Sequence, residues 1–198
     1  HPAFEPVVGA EGLAEVFVIG PARTPGVGIY QGMTELKAGQ CLTVDRSGVR
    51  VRTYWRLESR PHEDDEARTA ERVRELLQDT VERQLMSDVP VCTLLSGGLD
   101  SSALTALAVE HYARTGRGGL ATYSVDYVDN DKHFRAHAFQ PNADGPWIER
   151  MSRHFGTRHT QVQFDTPELV QALDDAVIAR DAPGMADIDA SLLLLCRE

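Results

Sequence analysis

Apolar residues along this chain fall into two rhythms, and the switches between them mark its elements. Ala70, Val73, Leu77, Val81 and Leu85 recur at three- and four-residue spacing, which predicts a helix from about Asp64 to Met86 with one apolar face. Glu63, Asp64, Asp65 and Glu66 sit at the end where the helix dipole favours negative charge. Pro90 stops any continuation. Val91 to Leu95 is then a short apolar run bounded by Pro90 and Gly97, which predicts a buried strand. Ser96-Gly97-Gly98 follow as a turn. From Asp100 a second helix starts, with Leu104, Leu107, Ala108, His111 and Tyr112 at helical spacing, and Gly116 to Gly119 end it.

The later chain repeats this alternation. Leu120 to Val128 is rich in β-formers and predicts a second strand, followed by the polar segment Asp129 to Asp144. A helix is expected from about Pro146 to Phe155 with Ile148, Met151 and Phe155 inward and Gly156 as its stop. His159 to Phe164 reads as a third strand. Thr166-Pro167 opens another helix with Leu169, Leu173, Ala176 and Val177 inward, Asp181 to Gly184 break it, and Asp189 is expected to lead a last helix. Strand and helix in this order predict a parallel α/β sheet with right-handed crossovers, whose ligands bind beyond the carboxyl ends of the strands. The first 57 residues differ. Glu11 to Ile19 suggests a short helix before Gly20-Pro21, and a Pro- and Gly-rich loop runs to Gly32. Gln40 to Asp45 and Val49 to Tyr54 alternate around Arg46-Ser47-Gly48 as a β-hairpin. This is too little sequence to close a core, so the reading is residues 1–57 as the end of a larger domain and 58–198 as a second one, joined by the charged stretch Glu58 to Glu66.

Composition narrows the function classes. With 198 residues, 42% hydrophobic and 25% charged, the chain has a globular composition. A net charge of −10 and no basic run argue against nucleic acid as the main partner. Leu192 to Leu195 is the longest late apolar run and far short of a membrane span. Cys41, Cys92 and Cys196 show no paired spacing, which fits a reducing cytoplasm, and no secretory signal is visible. The start at His1-Pro2 and the stop at Cys196-Arg197-Glu198 inside an expected helix suggest two cut ends.

Chemistry concentrates where the first strand meets its helix. Strand, glycine turn and helix N-terminus form an anion site, because N–H groups without partners converge there and the dipole adds to them. The turn lacks the lysine of G-x-x-x-x-G-K-[ST] and is not G-x-G-x-x-G. What stands here is Ser96-Gly97-Gly98-Leu99-Asp100-Ser101-Ser102, which resembles the PP-loop of ATP pyrophosphatases, enzymes that cleave ATP between the α and β phosphates. Arg83 to Val91 running into that loop, with Leu36-x-x-Gly39, the hairpin and Tyr54-Trp55 upstream and Tyr123-Ser124-Val125-Asp126 downstream, closely resembles glutamine-hydrolysing asparagine synthetases over nearly the whole chain.

The resemblance implies a Rossmann-like PP-loop domain, truncated, behind a β-rich remnant of an N-terminal nucleophile glutaminase domain. It implies an ATP-dependent ligase that adenylates aspartate, releases pyrophosphate, and passes ammonia from glutamine to the β-aspartyl-AMP. Ser96, Gly97, Gly98, Asp100, Ser101 and Ser102 would then cradle pyrophosphate, and Leu95 and Val125 would line the adenosine pocket. Asp100 would help hold Mg²⁺, since a hard cation reconciles a carboxylate with polyphosphate; a helix N-cap is its other reading, as plain core packing is for Leu95. A homo-oligomer is compatible with this picture.

Departures from the family pattern matter as much. Cys92 stands where the pattern has Gly, and the N-terminal cysteine nucleophile of the glutaminase is absent; Cys41, inside an expected strand with no free amine, cannot replace it. The family's second pyrophosphate loop would fall beyond Glu198. The expectation is therefore an inactive fragment holding half a nucleotide site, with the Val91–Leu95 strand open along one side where a fourth strand belongs. His133 and His137 sit four apart without a third ligand nearby, Trp147 and Phe155 read as core, and Asp187 and Asp189 as helix-cap residues before a substrate role. Two rivals stay open: a related amide- or β-lactam-forming synthetase acting on another carboxylate, and a degenerate copy that only binds.

Overall fold

In a computed structural model, residues 3–19, 22–138, 141–182, 184 and 186–198 are described. The chain forms two compact units that alternate in sequence, Glu63–Val170 with Leu195–Glu198, and His1–His62 with Gln171–Leu194.

In the first of these units, helix α2 (Glu66–Gln84) begins at Asp65, whose carboxylate accepts the Arg68 N–H at 2.8 Å, a side-chain N-cap. Its apolar stripe is only partly used. Val81 and Leu85 are buried with Ala108 and Leu120, while Ala70, Val73 and Leu77 are exposed, contrary to the expectation of one inward face. The last turns of α2 bury their apolar side chains beside helix α3 (Leu99–Thr115), where Glu82 pairs with Arg114 across the two helices, and farther back Arg74 reaches Glu110 at 3.9 Å. The Arg114 guanidinium and the Gln78 amide hold the Glu82 carboxyl below the usual carboxylate range.

Strand β3 (Cys92–Leu94) leads into α3, and strand β4 (Ala121–Tyr127) follows it. A four-residue helix α4 (Asn130–His133), helix α5 (Gly145–Phe155) and strand β5 (Arg158–Phe164) complete the layer. The sheet order is β3-β4-β5, all parallel, with Cys92 opposite Ala121 and Ala121 opposite Arg158. The predicted parallel α/β layer is therefore present. The predicted open side is present too, because β3 is an edge strand among the described residues. The strand is shorter and less buried than its apolar sequence suggests: Cys92 is exposed and Leu94 is 53% exposed, on the face opposite the one where Thr93 meets α3.

One face of this sheet is polar where it should be apolar. Thr122 and Ser124 of β4 are buried, and Thr93 of β3 bonds Thr105 of α3 at 3.0 Å. Thr122 Oγ1 and Ser124 Oγ each lie 3.0 Å from a ring nitrogen of His159, and Thr122 also meets Thr157 at 2.9 Å. Hydroxyls can donate or accept, so they satisfy a neutral imidazole of either tautomer. Burial holds His159 below the usual histidine pKa.

The other unit contains helix α1 (Ala10–Ala14), continued by a wider π-helical turn over Glu15–Ile19, and the hairpin of β1 (Gln40–Asp45) and β2 (Gly48–Thr53). Gly48 pairs with Asp45 as the first residue of β2, so the turn is only Arg46-Ser47. Alternation puts Leu42, Val44, Val49 and Val51 on one face of this hairpin, and all four are exposed. The Glu15 side chain accepts the Thr24 N–H at 2.7 Å, which holds its carboxyl below the usual range. Gly20 and Pro21, expected to end this helical stretch, lie outside the described residues.

Helix α6 (Thr166–Arg180) opens with a reciprocal cap: Glu168 accepts the Asp165 N–H and Asp165 accepts the Glu168 N–H, both at 2.8 Å. Its buried residues are Ala172 and Ala176, with Leu169 and Leu173 half-buried; Val177, expected inward, is 46% exposed. Asp181, in the left-handed region at φ 55°, ends the helix, and Pro183 lies outside the described residues. Helix α7 (Ala186–Arg197) starts ahead of Asp189, which therefore does not lead it but pairs with Arg180 at 2.6 Å. Among the described residues no helix is long and apolar enough to cross a membrane.

Candidate nucleotide site

The loop after β3 starts from a fixed point. Leu95 N–H donates to Tyr123 O at 2.8 Å, extending the parallel pairing one residue, and the Leu95 side chain is fully buried. Of its two sequence readings, core packing is what the geometry displays. Gly97 follows with φ +78°, and a Cβ there would stand 2.8 Å from Trp147 Cβ and 3.0 Å from Ile148 N. The turn is thus pressed against the first turn of α5, and both the backbone angle and the space call for glycine. Gly98 is the opposite case. Its backbone is extended, and a Cβ would meet only Ser96 Oγ at 3.5 Å, so this side of the loop is open.

Gly98 is the N-cap of α3, without a side-chain cap. Asp100 is therefore not the cap; it lies in the first turn with its carboxylate exposed. Ser102 N–H makes the first helical bond, to Gly98 O at 3.1 Å, while the N–H groups of Leu99, Asp100 and Ser101 have no acceptor among the described residues. The serines divide their work. Ser101 Oγ accepts the Ser96 N–H at 3.3 Å, meets Ser96 Oγ at 3.0 Å and donates to Gly98 O at 3.2 Å, fastening the loop to itself. Ser102 Oγ is buried with no hydrogen-bond partner. A buried hydroxyl left unpaired costs free energy, so this atom is free to donate to an anionic acceptor.

A cleft of about 470 Å³ opens on this loop, bounded by Gly98, Leu99 and Ser102 on one side and Pro141, Trp147 and Met151 on the other. Trp147 was expected in the core; instead it is 41% exposed, with the Arg150 guanidinium over its ring at 5.7 Å. Among the described residues no lysine or arginine lines the cleft, so the positive end there is supplied by backbone N–H groups and the α3 dipole. Val125 lines a separate cavity of about 180 Å³ at the end of β4, and Asp144 lines both spaces. In the smaller cavity Asp126 accepts from Tyr127 N (2.9 Å), Asn130 Nδ2 (2.8 Å) and Gln161 Nε2 (3.0 Å).

The structure thus brings Ser96, Gly97, Gly98, Asp100, Ser101 and Ser102 into one loop and sets Val125 in a cavity beside it. Nothing in this loop resembles an activated nucleophile. Unpaired backbone N–H groups at a helix head are the kind of arrangement that suits an anion. Sequence reading did not single out Asn130, Gln161 and His159; the one usable signal was a run of polar residues on alternating positions of β5. Helix α4 ends at His133, so His137 does not share a helical face with it, and no group of three metal-binding side chains occurs among the described residues. Phe155 is half-buried. The Asp187 side chain lies outside the described residues.

Residues 72–198 match the family model described as asparagine synthase. Over its full length the chain is 52% identical to a Bacillus subtilis protein named asparagine synthetase [glutamine-hydrolyzing] 3, covering 32% of that protein. It is 30% identical over 128 residues to asparagine synthetase B [glutamine-hydrolyzing] of Escherichia coli, a match covering 60% of the chain and 21% of that protein. The human asparagine synthetase [glutamine-hydrolyzing] is 26% identical over 121 residues, 61% of the chain and 19% of its own length. The chain spans a third or less of the length of these relatives.

Proposed function

The chain belongs to the asparagine synthase family, and on that premise we propose that its Ser96–Ser102 loop holds the polyphosphate of ATP in a carbon–nitrogen ligase reaction. In this reading the side-chain carboxylate of aspartate attacks the α-phosphorus. The bond from that phosphorus to the bridging oxygen breaks, releasing pyrophosphate and leaving β-aspartyl-AMP. Ammonia from glutamine then attacks the acyl carbon, AMP departs, and asparagine forms.

One observation carries the proposal: a glycine turn with an open side, followed by the helix-head N–H groups of Leu99, Asp100 and Ser101, none of which has an acceptor among the described residues. Adenylation demands charge stabilisation on the leaving pyrophosphate, and preorganised N–H groups supply it without reorganising. Gly97 and Gly98 would present backbone N–H groups, Ser96 would add its own by turning it from Ser101 Oγ to the phosphate, and Ser102 Oγ would donate to a phosphate oxygen. Ser101 would keep the loop in shape. Val125 would line the adenosine pocket and Leu95 would support it from the core.

Asp100 would hold Mg²⁺ together with the phosphates, since its exposed carboxylate stands in the first turn and no ready-made cage of ligands exists among the described residues. When bound, the ion would neutralise charge on the leaving group. Residues 1–57 are read as the end of a glutaminase domain and 58–198 as the first part of the synthetase domain.

The test is ATP–pyrophosphate exchange in the Bacillus subtilis relative with its matching stretch replaced by this chain. Exchange that requires aspartate and is lost in Asp100→Ala supports the reading. Exchange only with another acid, including one that cyclises to a β-lactam, keeps the mechanism and changes the acceptor. A folded chimera that binds ATP without any exchange would favour the degenerate copy.

A further inference from the structure

We propose that Asp126 is a positioning residue that makes the cavity at the end of β4 select adenine over 6-oxopurines. The inference rests on the ATP reading above and adds the means of base recognition. A carboxylate has only acceptors to offer, so Asn130 and Gln161, both hydrogen-bonded to Asp126, must present their NH₂ groups to it. The amide orientations are thereby fixed. Asn130 Oδ1 and Gln161 Oε1 are the atoms left over, and neither receives a hydrogen bond among the described residues. Both side chains line the cavity, whose remaining walls include Val125, Phe134 and Ile148.

Local structure builds this arrangement. Asp129 sits in the left-handed region at φ 61° and turns the chain back after β4, so that Asn130 returns to Asp126. Asp126 is in register with Gln163 on β5, and Gln161 two residues earlier reaches it diagonally. Apolar side chains beside two carbonyl acceptors, in about 180 Å³ of space, suit a ring bearing an amino group. The C6 amino group of adenine donates two hydrogens; the C6 oxo group of hypoxanthine or guanine would face acceptor lone pairs and leave them unpaired. Asp144 lines both this cavity and the cleft at Gly98, so the two spaces adjoin at that residue.

Calorimetric titration of the 198-residue chain with ATP, inosine triphosphate and tripolyphosphate tests the idea. Inosine triphosphate carries an oxo group where ATP carries its amino group. Wild type should bind ATP about tenfold or more tightly over inosine triphosphate, the scale of a hydrogen bond exchanged for an unpaired acceptor. Asp126→Asn, whose own amide can donate and so lets its neighbours turn over, should bring that ratio toward one with tripolyphosphate binding unchanged. Gln161→Met, at an exposed position that tolerates substitution, should move the ratio the same way without touching Asp126. Equal binding of the two nucleotides by wild type overturns the inference, as does a wild-type ratio kept in either folded variant. A chain that binds tripolyphosphate without discriminating between bases sinks this inference alone, whereas one that binds no phosphate compound sinks the phosphate-loop reading and this inference with it.

Discussion

Two neighbouring glycines separate conformational necessity from open space. At Gly97 an alanine must adopt φ +78° and place its methyl 2.8 Å from Trp147 Cβ. Gly97→Ala should therefore lower the melting temperature, at a cost of about 1–3 kcal/mol, and weaken ATP binding at least about tenfold. Gly98→Ala meets neither obstacle, so its melting curve should stay close to wild type while ATP binding falls, because the methyl fills the side where phosphate is proposed to lie. Equal melting loss in both variants would contradict the distinction. Ser102→Ala separates holding a ligand from holding the fold in another way. Its hydroxyl has no partner to lose, so the ligand-free chain should be as stable as wild type or slightly stabler, with ATP affinity reduced. A clear loss of stability without ligand would show that the hydroxyl serves the fold.

Among the elements, β4 and β5 carry a pH response that their sequences conceal. His159 is held neutral by burial among hydroxyls, with its pKa below the ordinary value of about 6.5. As pH falls below that value the unfolded chain takes up a proton that the folded chain refuses, so the contribution is intact above about pH 6.5 and is lost as pH drops through the folded pKa. Denaturant melts between about pH 7 and 5 should show declining stability, and His159→Gln should flatten the decline. The same slope in the variant would assign it elsewhere. Carboxyls elsewhere in the chain such as Glu82, Asp79 and Asp45, all held below their usual range, respond only in more acidic solution. Helix α2 shows how far periodicity reaches: its stripe was legible, yet only Val81 and Leu85 of it are buried. An apolar stripe records what a helix can bury, and tertiary contacts decide how much it does.

For the whole molecule, the sheet ends on β3, whose outer edge has no strand beside it among the described residues and whose Leu94 is exposed. Edge strands with unpaired N–H and C=O groups associate unless blocked. Sedimentation velocity should show concentration-dependent association of this chain, reduced in Leu94→Lys; a monomer at all concentrations would argue against the edge as a contact. The two compact units draw on separated stretches, His1–His62 joining Gln171–Leu194. Sequence position alone suggested a simple division of the chain in two, because composition changes are local whereas compactness depends on contacts between distant residues.

By itself the sequence determined the order of strands and helices, the parallel layer and the glycine turn at the head of a helix. These rest on short-range physics: helical and strand periodicity, glycine's backbone freedom and the exposed N–H groups at a helix start. Tertiary structure alone decided that Gly97 is crowded by α5 while Gly98 is open, that Asp100 is not a cap, and that Ser102 is left unpaired. It also decided that Asp126 gathers Asn130 and Gln161, and that His159 lies among threonine and serine hydroxyls. Such facts depend on which side chains meet across strands far apart in sequence. Local pattern fixes which face a residue can present, and only packing fixes what stands opposite it.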